Sequence, residues 1–310
     1  MVNRRKALIT GLLLLIGYAV VQLMLSMGLI DPFYENMLMN IGINIMLAVS
    51  LHLIIGVTGQ FSIGHAGFLA VGAYVSAVLT TKLDQPFLPA ILAAGVAAAL
   101  FGILVGVPTL RLRGDYLAIA TLGFGEIVRI TLYNIDYVGG AAGMQVRHLT
   151  NWTYLYIAVI VMIIVIANLT NSAHGRALLA IREDEVAAEA MGVNTTYYKV
   201  LAFAVGAFFA GIAGAMYAHQ FYVIQPVAFG FLKSFEILVI VVLGGIGSLS
   251  GAILAATLLS LVNIYLQAFP ETRMILYSLV LILVMLYRPQ GLMGNREITD
   301  LLKRRLGKEA

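Results

Sequence analysis

Glu126 and Arg129 stand three residues apart in an otherwise apolar run. On a helix that spacing puts both on one face. A charged group in mid-span costs about 3 kcal/mol on insertion scales, so Glu126 needs a partner or water. Two roles fit. One is an internal ion pair with Arg129 reaching outward, which is the preferred reading; the other is a polar contact lining a solute path. Further reactive groups are sparse. Ser62 and His65 are near enough in sequence to suggest a nucleophile and its base, and Ser250 offers a second serine. Neither comes with an evident oxyanion site or third residue. His65, beside Gly64 in an apolar stretch, reads as a hydrogen-bonded packing residue rather than a proton carrier. Asp115 stands where a helix should start and reads as a cap.

Other chemistries are excluded by what is missing. There is no cysteine, hence no disulfide, thiolate metal site or iron–sulfur cluster. The five histidines (His52, His65, His148, His174, His219) share no metal-ligand spacing. No G-x-x-x-x-G-K-[ST] occurs, and the one Gly-Lys pair, Gly307-Lys308, is followed by Glu309; the chain has no phosphate loop for ATP. A net charge of +4, spread along the chain, does not suggest nucleic-acid binding. No catalytic residue, metal site or bound cofactor is expected.

Membrane spans must position these groups. Of the 310 residues, 61% are hydrophobic and only 11% charged, with a mean hydropathy of +0.96. A soluble domain is nearer half apolar and a quarter charged. Disorder, a collagen-like repeat and a coiled coil are excluded on the same ground. Ten apolar stretches of roughly spanning length lie at 7–30, 37–57, 61–80, 87–110, 115–133, 152–169, 199–219, 234–246, 249–269 and 272–287. The runs are continuous, not alternating, so the chain is an all-α polytopic membrane protein and not a barrel. The prolines fall at or near the ends of runs, where helix breakers belong. The first stretch follows Asn3-Arg4-Arg5-Lys6 but is long and lacks a small-x-small cleavage site, so it reads as a retained span and not a secretory signal.

With the N-terminus in the cytoplasm and an even number of crossings, about eight to ten, 14 of the 19 lysines and arginines fall on the cytoplasmic side, Arg111 and Arg113 among them as topology determinants. Both termini are then cytoplasmic. The stretches 234–246 and 272–287 are short enough to be half-spans or re-entrant. Gly102 and Gly106, then Ala207 and Gly211, then Ser62, Ala66 and Ala70 form small-residue ridges that let helix backbones approach closely in lipid.

Two glycine blocks, Gly56–Gly67 and Gly244–Gly251, fall where spans should reach the cytoplasmic side. They share similar strings, Gly59-Gln60-Phe61-Ser62 and Gly247-Ser248-Leu249-Ser250, which suggests an internal repeat. Glycine with hydroxyls can break a helix and free backbone groups for a polar ligand, as transporters do around a substrate path. Candidate path residues are Gly59, Gln60, Ser62, Gly64, His65, Glu126, Gly245, Gly247 and Ser248; a tight turn between two helices explains the glycine blocks equally well.

The largest non-membrane segment runs from Thr170 to Lys199. Helix formers extend from Gly175 to Met191, and Gly192 is placed as a C-terminal stop. Arg182, Glu183, Asp184, Glu185 and Glu189 read as solvated. Ala177, Ile181, Ala187, Ala188 and Met191 offer a small apolar surface. The helix is either a surface connector or a docking element for a soluble partner.

The string Ala187-Ala188-Glu189-Ala190-Met191-Gly192 resembles the loop of ABC-importer permeases, a pair of alanines with glycine four residues later. It departs from the family form at Val186, where a glutamate is usual; the acid here is Glu185. GRALLAIREDEVAAEAMGVN and LAFAVGAFFAGIAGAMYA (201–218) look like the LivM-type permeases of branched-chain amino acid ABC importers. So do GQFSIGHAGFLAVGAYVSA (59–77), LRLRGDYLAIATLGFGEI (110–127), VLGGIGSLSGAILAA (242–256), YRPQGLMG (287–294) and the glycines at 139, 140 and 143. The likeness covers most of residues 40–294, with blocks in matching order and spacing.

The resemblance implies one transmembrane permease domain over 1–310, with an ATPase-docking helix in a cytoplasmic loop at 170–199 and a basic cytoplasmic tail at 288–310. Docking would involve Arg182, Glu185, Ala187, Ala188, Glu189 and Gly192. The implied partners are a sister permease, two cytoplasmic ABC ATPases that hold the ATP and magnesium, an extracytoplasmic solute-binding protein and the lipid of a bacterial or archaeal inner membrane. A permease for urea or short amides is the alternative in the same class. A channel or ion-coupled carrier would leave 170–199 unexplained, and an intramembrane hydrolase lacks its site.

Overall fold

The computed structural model describes residues 4–109, 112, 114–266, 269, 272, 275, 278–279, 282–283, 286–288, 290–294 and 297, with side chains from residue 15 onward. Arg111, Arg113, half of the stretch 272–287 and most of the tail 288–310 lie outside the described residues.

The chain is an all-α polytopic membrane protein. Its helices are α1 (Arg4–Ser26), α2 (Pro32–His52), α3 (His65–Thr81), α4 (Phe87–Thr109), α5 (Asp115–Asn134), α6 (Trp152–Asn171), α7 (Ala173–Glu183), α8 (Glu185–Ala190), α9 (Thr195–Gln220), α10 (Phe231–Gly244) and α11 (Leu249–Tyr265). Among the described residues, six units are long and apolar enough to cross a membrane: Pro32–Val57, Phe87–Thr109, Asp115–Asn134, Trp152–Asn171, Thr195–Gln220 and Pro226–Gly244. Leu15–Ser26, His65–Thr81 and Leu249–Tyr265 are shorter apolar helices. Among the described residues the strands are β1 (Met144–Gln145) and β2 (Val223–Ile224), paired antiparallel with Met144 opposite Ile224. They mark one end of the bundle; α7 and α8 mark the other.

Helix α9 is the central post, packed on α3, α4 and α2. The small-residue ridges make this possible. A Cβ on Gly102 of α4 would lie 2.7 Å from the Ala207 Cβ of α9, and one on Gly211 of α9 would lie 2.5 Å from the Ala98 Cβ of α4. The two ridges expected from sequence thus face each other. On the opposite flank a Cβ at Gly72 of α3 would overlap the Gly211 backbone. Three helices meet at one glycine, with backbones closer than larger residues permit.

Several boundaries depart from the sequence expectations. Helix α2 begins at Pro32, not 37, because proline is well placed in a first turn. The stretch at 61–80 is helical only from His65. The segment 175–191 is two helices, broken at Asp184, which has extended backbone (φ −156°, ψ 109°) and caps α8.

Candidate functional site

Two non-helical connections between apolar helices gather the polar groups of the bundle. At the α7–α8 end, α2 runs into a π-turn (Leu53–Val57). Gly59 then takes φ +70°, a left-handed conformation that favours glycine, and residues 60–64 lead without helix into α3. The first amides of α3 and its lead-in are met by side chains of other spans. Ile63 N donates to Thr121 Oγ1 at 3.1 Å and Ala66 N to Ser234 Oγ at 3.1 Å. His65 is fully buried, with Nε2 2.8 Å from Ser50 Oγ, and its ring sits edge-on to Phe68. That agrees with a hydrogen-bonded packing role. Ser62 is also fully buried, and its Oγ accepts only a long 3.5 Å bond from Gly64 N. Satisfaction is incomplete. Both amide atoms of Gln60, the His52 Nδ1 and the His65 Nδ1 are buried without a protein partner.

At the β1–β2 end the interruption lies between α9 and α10. Val146 N donates to Tyr222 O at 2.9 Å, extending the strand pair. Helix α10 then begins at Phe231, whose amide donates to Glu126 Oε1 at 2.9 Å. The other carboxylate oxygen, Oε2, accepts from Arg129 Nε and Nη2, each at 2.7 Å. Glu126 is therefore both ion-pair partner and helix cap, two uses that suit a carboxylate at a helix N-terminus. The two side chains are each 28% exposed, so the pair lies at the margin of the packed helices. A second pair, Lys233–Glu236 at 3.1 Å on α10, with Asn263 of α11 donating to Glu236 at 3.4 Å, was not singled out from sequence. Its signal was the same three-residue spacing.

Gly245 (φ +106°) and Gly247 belong to the α10–α11 turn. Ser248 Oγ caps α11 by accepting from Gly251 N at 3.0 Å. Glu297 closes on the same turn, accepting from Leu249 N at 2.7 Å and from Ser250 Oγ at 2.6 Å. Leu292 N and Met293 N donate to Leu243 O and Gly244 O. The two similar strings differ in local structure: Gly59–Ser62 is a non-helical strap and Gly247–Ser250 is a helix start. The residues just before the two strings do meet, since a Cβ on Gly56 would overlap the Ile246 carbonyl oxygen.

In the segment 170–199, Ser172 caps α7 and Asp184 caps α8, accepting from Val186 N at 2.9 Å and Ala187 N at 3.0 Å. Gly192 turns the chain with φ +84°. Val186, Ala187, Glu189 and Met191 are exposed, whereas Ala188 and Ile181 are buried. Arg182 and Glu185, read from sequence as solvated, are held inward instead. Arg182 Nη1 donates to Gly56 O at 2.6 Å, and Glu185 lies 2.5 Å from the Nζ of Lys199, whose side chain is 8% exposed. These partners are 126 and 14 residues away, with no periodicity to betray them.

The family described as branched-chain amino acid transport system / permease component matches residues 33–285. The high-affinity branched-chain amino acid transport system permease protein LivM of Salmonella typhimurium LT2 is 36% identical over 306 residues, covering 87% of this chain and 71% of that protein. LivH of Escherichia coli K12, a permease protein of the high-affinity branched-chain amino acid transport system, is 25% identical over 289 residues, covering 82% and 92%. A probable branched-chain amino acid transport permease of Methanocaldococcus jannaschii is 25% identical over 236 residues, covering 66% and 68%. No solved structure matches the chain.

Proposed function

The chain belongs to the permease family of branched-chain amino acid transport systems, and we propose that it forms the translocation path of an ATP-driven importer together with a sister permease. The observation that carries this is the family match over 33–285. Likeness to both LivM and LivH supports a pair of related permeases, each a version of the other. Two breaks between apolar helices, with side chains of neighbouring helices on the amides that follow them, support a solute path through the bundle. The exposed Val186, Ala187, Glu189 and Met191, stiffened between the Asp184 cap and the Gly192 turn, form the contact for a cytoplasmic ATPase. An extracytoplasmic binding protein delivers the solute, and ATP with its magnesium stays on the partner subunits. The N-terminus, residues 170–199 and the tail face the cytoplasm of an inner membrane.

The test is reconstitution of the chain with its sister permease, two ATPases and binding protein in vesicles. Leucine uptake driven by ATP is expected. Uptake of urea or short amides with none of leucine would replace the substrate, and failure to bring down any ATPase would remove the importer reading. Single cysteines at Asn3, Asn194 and Gly307, in a chain with none of its own, should label only from the inside.

A further inference from the structure

We propose that Arg182 does not touch the ATPase but is the positioning residue that ties the docking helices to the interrupted segment 53–64. This rests on the importer reading above. Arg182 lies in the last turn of α7, two residues before the break at Asp184. Its Nη1 donates to Gly56 O at 2.6 Å, a carbonyl inside the π-turn. A guanidinium donating to a carbonyl makes a charge-assisted bond, stronger than a neutral one. Its stem covers the next special position: a Cβ on Gly59 would lie 3.1 Å from Arg182 Cγ and 3.4 Å from its Cα. One side chain thus grips the strap at the π-turn and at the left-handed glycine.

What the strap carries makes the grip useful. It leads directly into the start of α3, where Thr121 of α5 and Ser234 of α10 receive its amides. The polar groups around it are unfinished: Gln60 and the Nδ1 atoms of His52 and His65 are buried and unpaired. Buried polar groups left unpaired raise the energy of the arrangement that leaves them so. An alternative arrangement of the strap that pairs them is therefore favoured by their desolvation, while Arg182 opposes it by holding Gly56. A rigid link runs from α8 to this point, because Glu185 is locked to buried Lys199 at the start of α9 and Ile181 and Leu178 are buried. Displacement of α8 by a partner reaches the strap through α7 and Arg182.

The experiment uses the complete reconstituted transporter with radiolabelled leucine. Arg182→Ala should retain stoichiometric ATPase subunits and hydrolysis, while leucine moved per ATP hydrolysed falls at least tenfold. Arg182→Gln keeps part of the stem over Gly59 but drops the charge and shortens the reach. It should show the same uncoupling and serves if the alanine variant fails to accumulate. Loss of ATPase co-purification in either variant would make Arg182 a docking contact and overturn the proposal. So would an unchanged ratio of leucine to ATP. A wild-type chain that binds no ATPase overturns the importer reading and this proposal with it, whereas wild-type coupling with an unaffected variant overturns this proposal alone.

Discussion

The two interruptions in the bundle are built oppositely. Between α9 and α10 a strand pair holds the approach and Glu126 takes both the Phe231 amide and the Arg129 guanidinium, while Gln220 Oε1 at the end of α9 is buried without a protein partner. Between α2 and α3 the chain is gripped from outside by Arg182 and leaves Gln60, His52 and His65 with unpaired atoms. The α9–α10 break is held by residues packed directly against it. The α2–α3 break is held instead by a residue of the docking segment, so movement of that segment would act on it. The grip of Arg182 on Gly56 is what puts the proposed moving part at the α7–α8 end.

Substitution at the breaks tests the contrast most strongly. A Cβ on Gly64 would overlap the Thr121 carbonyl oxygen, and backbone cannot yield as a side chain does. On Gly230 it would meet the Arg129 Cδ at 3.4 Å, an ordinary contact with a flexible stem. Gly64→Val should lose about 3 kcal/mol or more and yield little folded protein. Gly230→Ala should stay within about 1 kcal/mol of wild type. Thermal unfolding in detergent measures both, and equal losses would mean that the breaks do not differ in tightness.

The charge at the α9–α10 break comes next. Glu126→Gln leaves Arg129 without its counter-charge at membrane depth and should cost about 2 kcal/mol, below the roughly 3–5 kcal/mol of a fully buried pair because both groups are part-exposed. Glu126→Gln combined with Arg129→Gln should recover at least half, since both charges are gone and the introduced amide oxygen at position 126 still accepts from Phe231 N. A normal yield for the single variant with uptake abolished would instead make Glu126 a path residue and the α9–α10 break the working one.

Much of this was legible from residues alone. The spans follow from apolar runs because lipid permits few alternatives. The Glu126–Arg129 pair follows from spacing, and the α4–α9 seam from Gly102, Ala207 and Gly211. The break at Asp184 was readable in principle: an aspartate followed by Glu-Val-Ala-Ala is a cap signal, overridden by the longer run of helix formers. A break within Gly56–Gly67 was readable from its glycines, but not that α3 starts as late as His65, because its lead-in is held by Thr121 of α5 and Ser234 of α10, partners across the fold. Arg182, Lys199 and Glu297 were out of reach for another reason. Each acts across the fold, and a charge near a span end reads as a topology signal until its partner is seen.

A smaller effect belongs to the turn after α8. Gly192 has φ +84° with open space at its Cβ position, so only backbone conformation opposes a side chain there. Gly192→Val should cost about 1–2 kcal/mol locally and leave the spans and the sister pairing intact. ATPase co-purification, or the stimulation of hydrolysis by loaded binding protein, should fail. If both persist at wild-type level, the segment is a connector and the moving break is not addressed from this side.

The smallest effect expected is at Ser248, beside the break that moves. Its hydroxyl caps α11 through Gly251 N, and removing such a cap costs about 1 kcal/mol. Here the loss should be nearer half of that. Glu297 already takes the Leu249 and Ser250 amides and the Ser250 hydroxyl, so the same helix end has a second, charged acceptor. Ser248→Ala alone should shift thermal unfolding by only a degree or two. Ser248→Ala with Glu297→Ala should lose more than the sum of the two, because only then is the turn open and its amides unpaired. That turn presses Ile246 against Gly56, so the double variant should also loosen the strap that Arg182 holds. Additive losses would show two independent caps. The α10–α11 turn would then be a neighbour of the moving break, not its backstop.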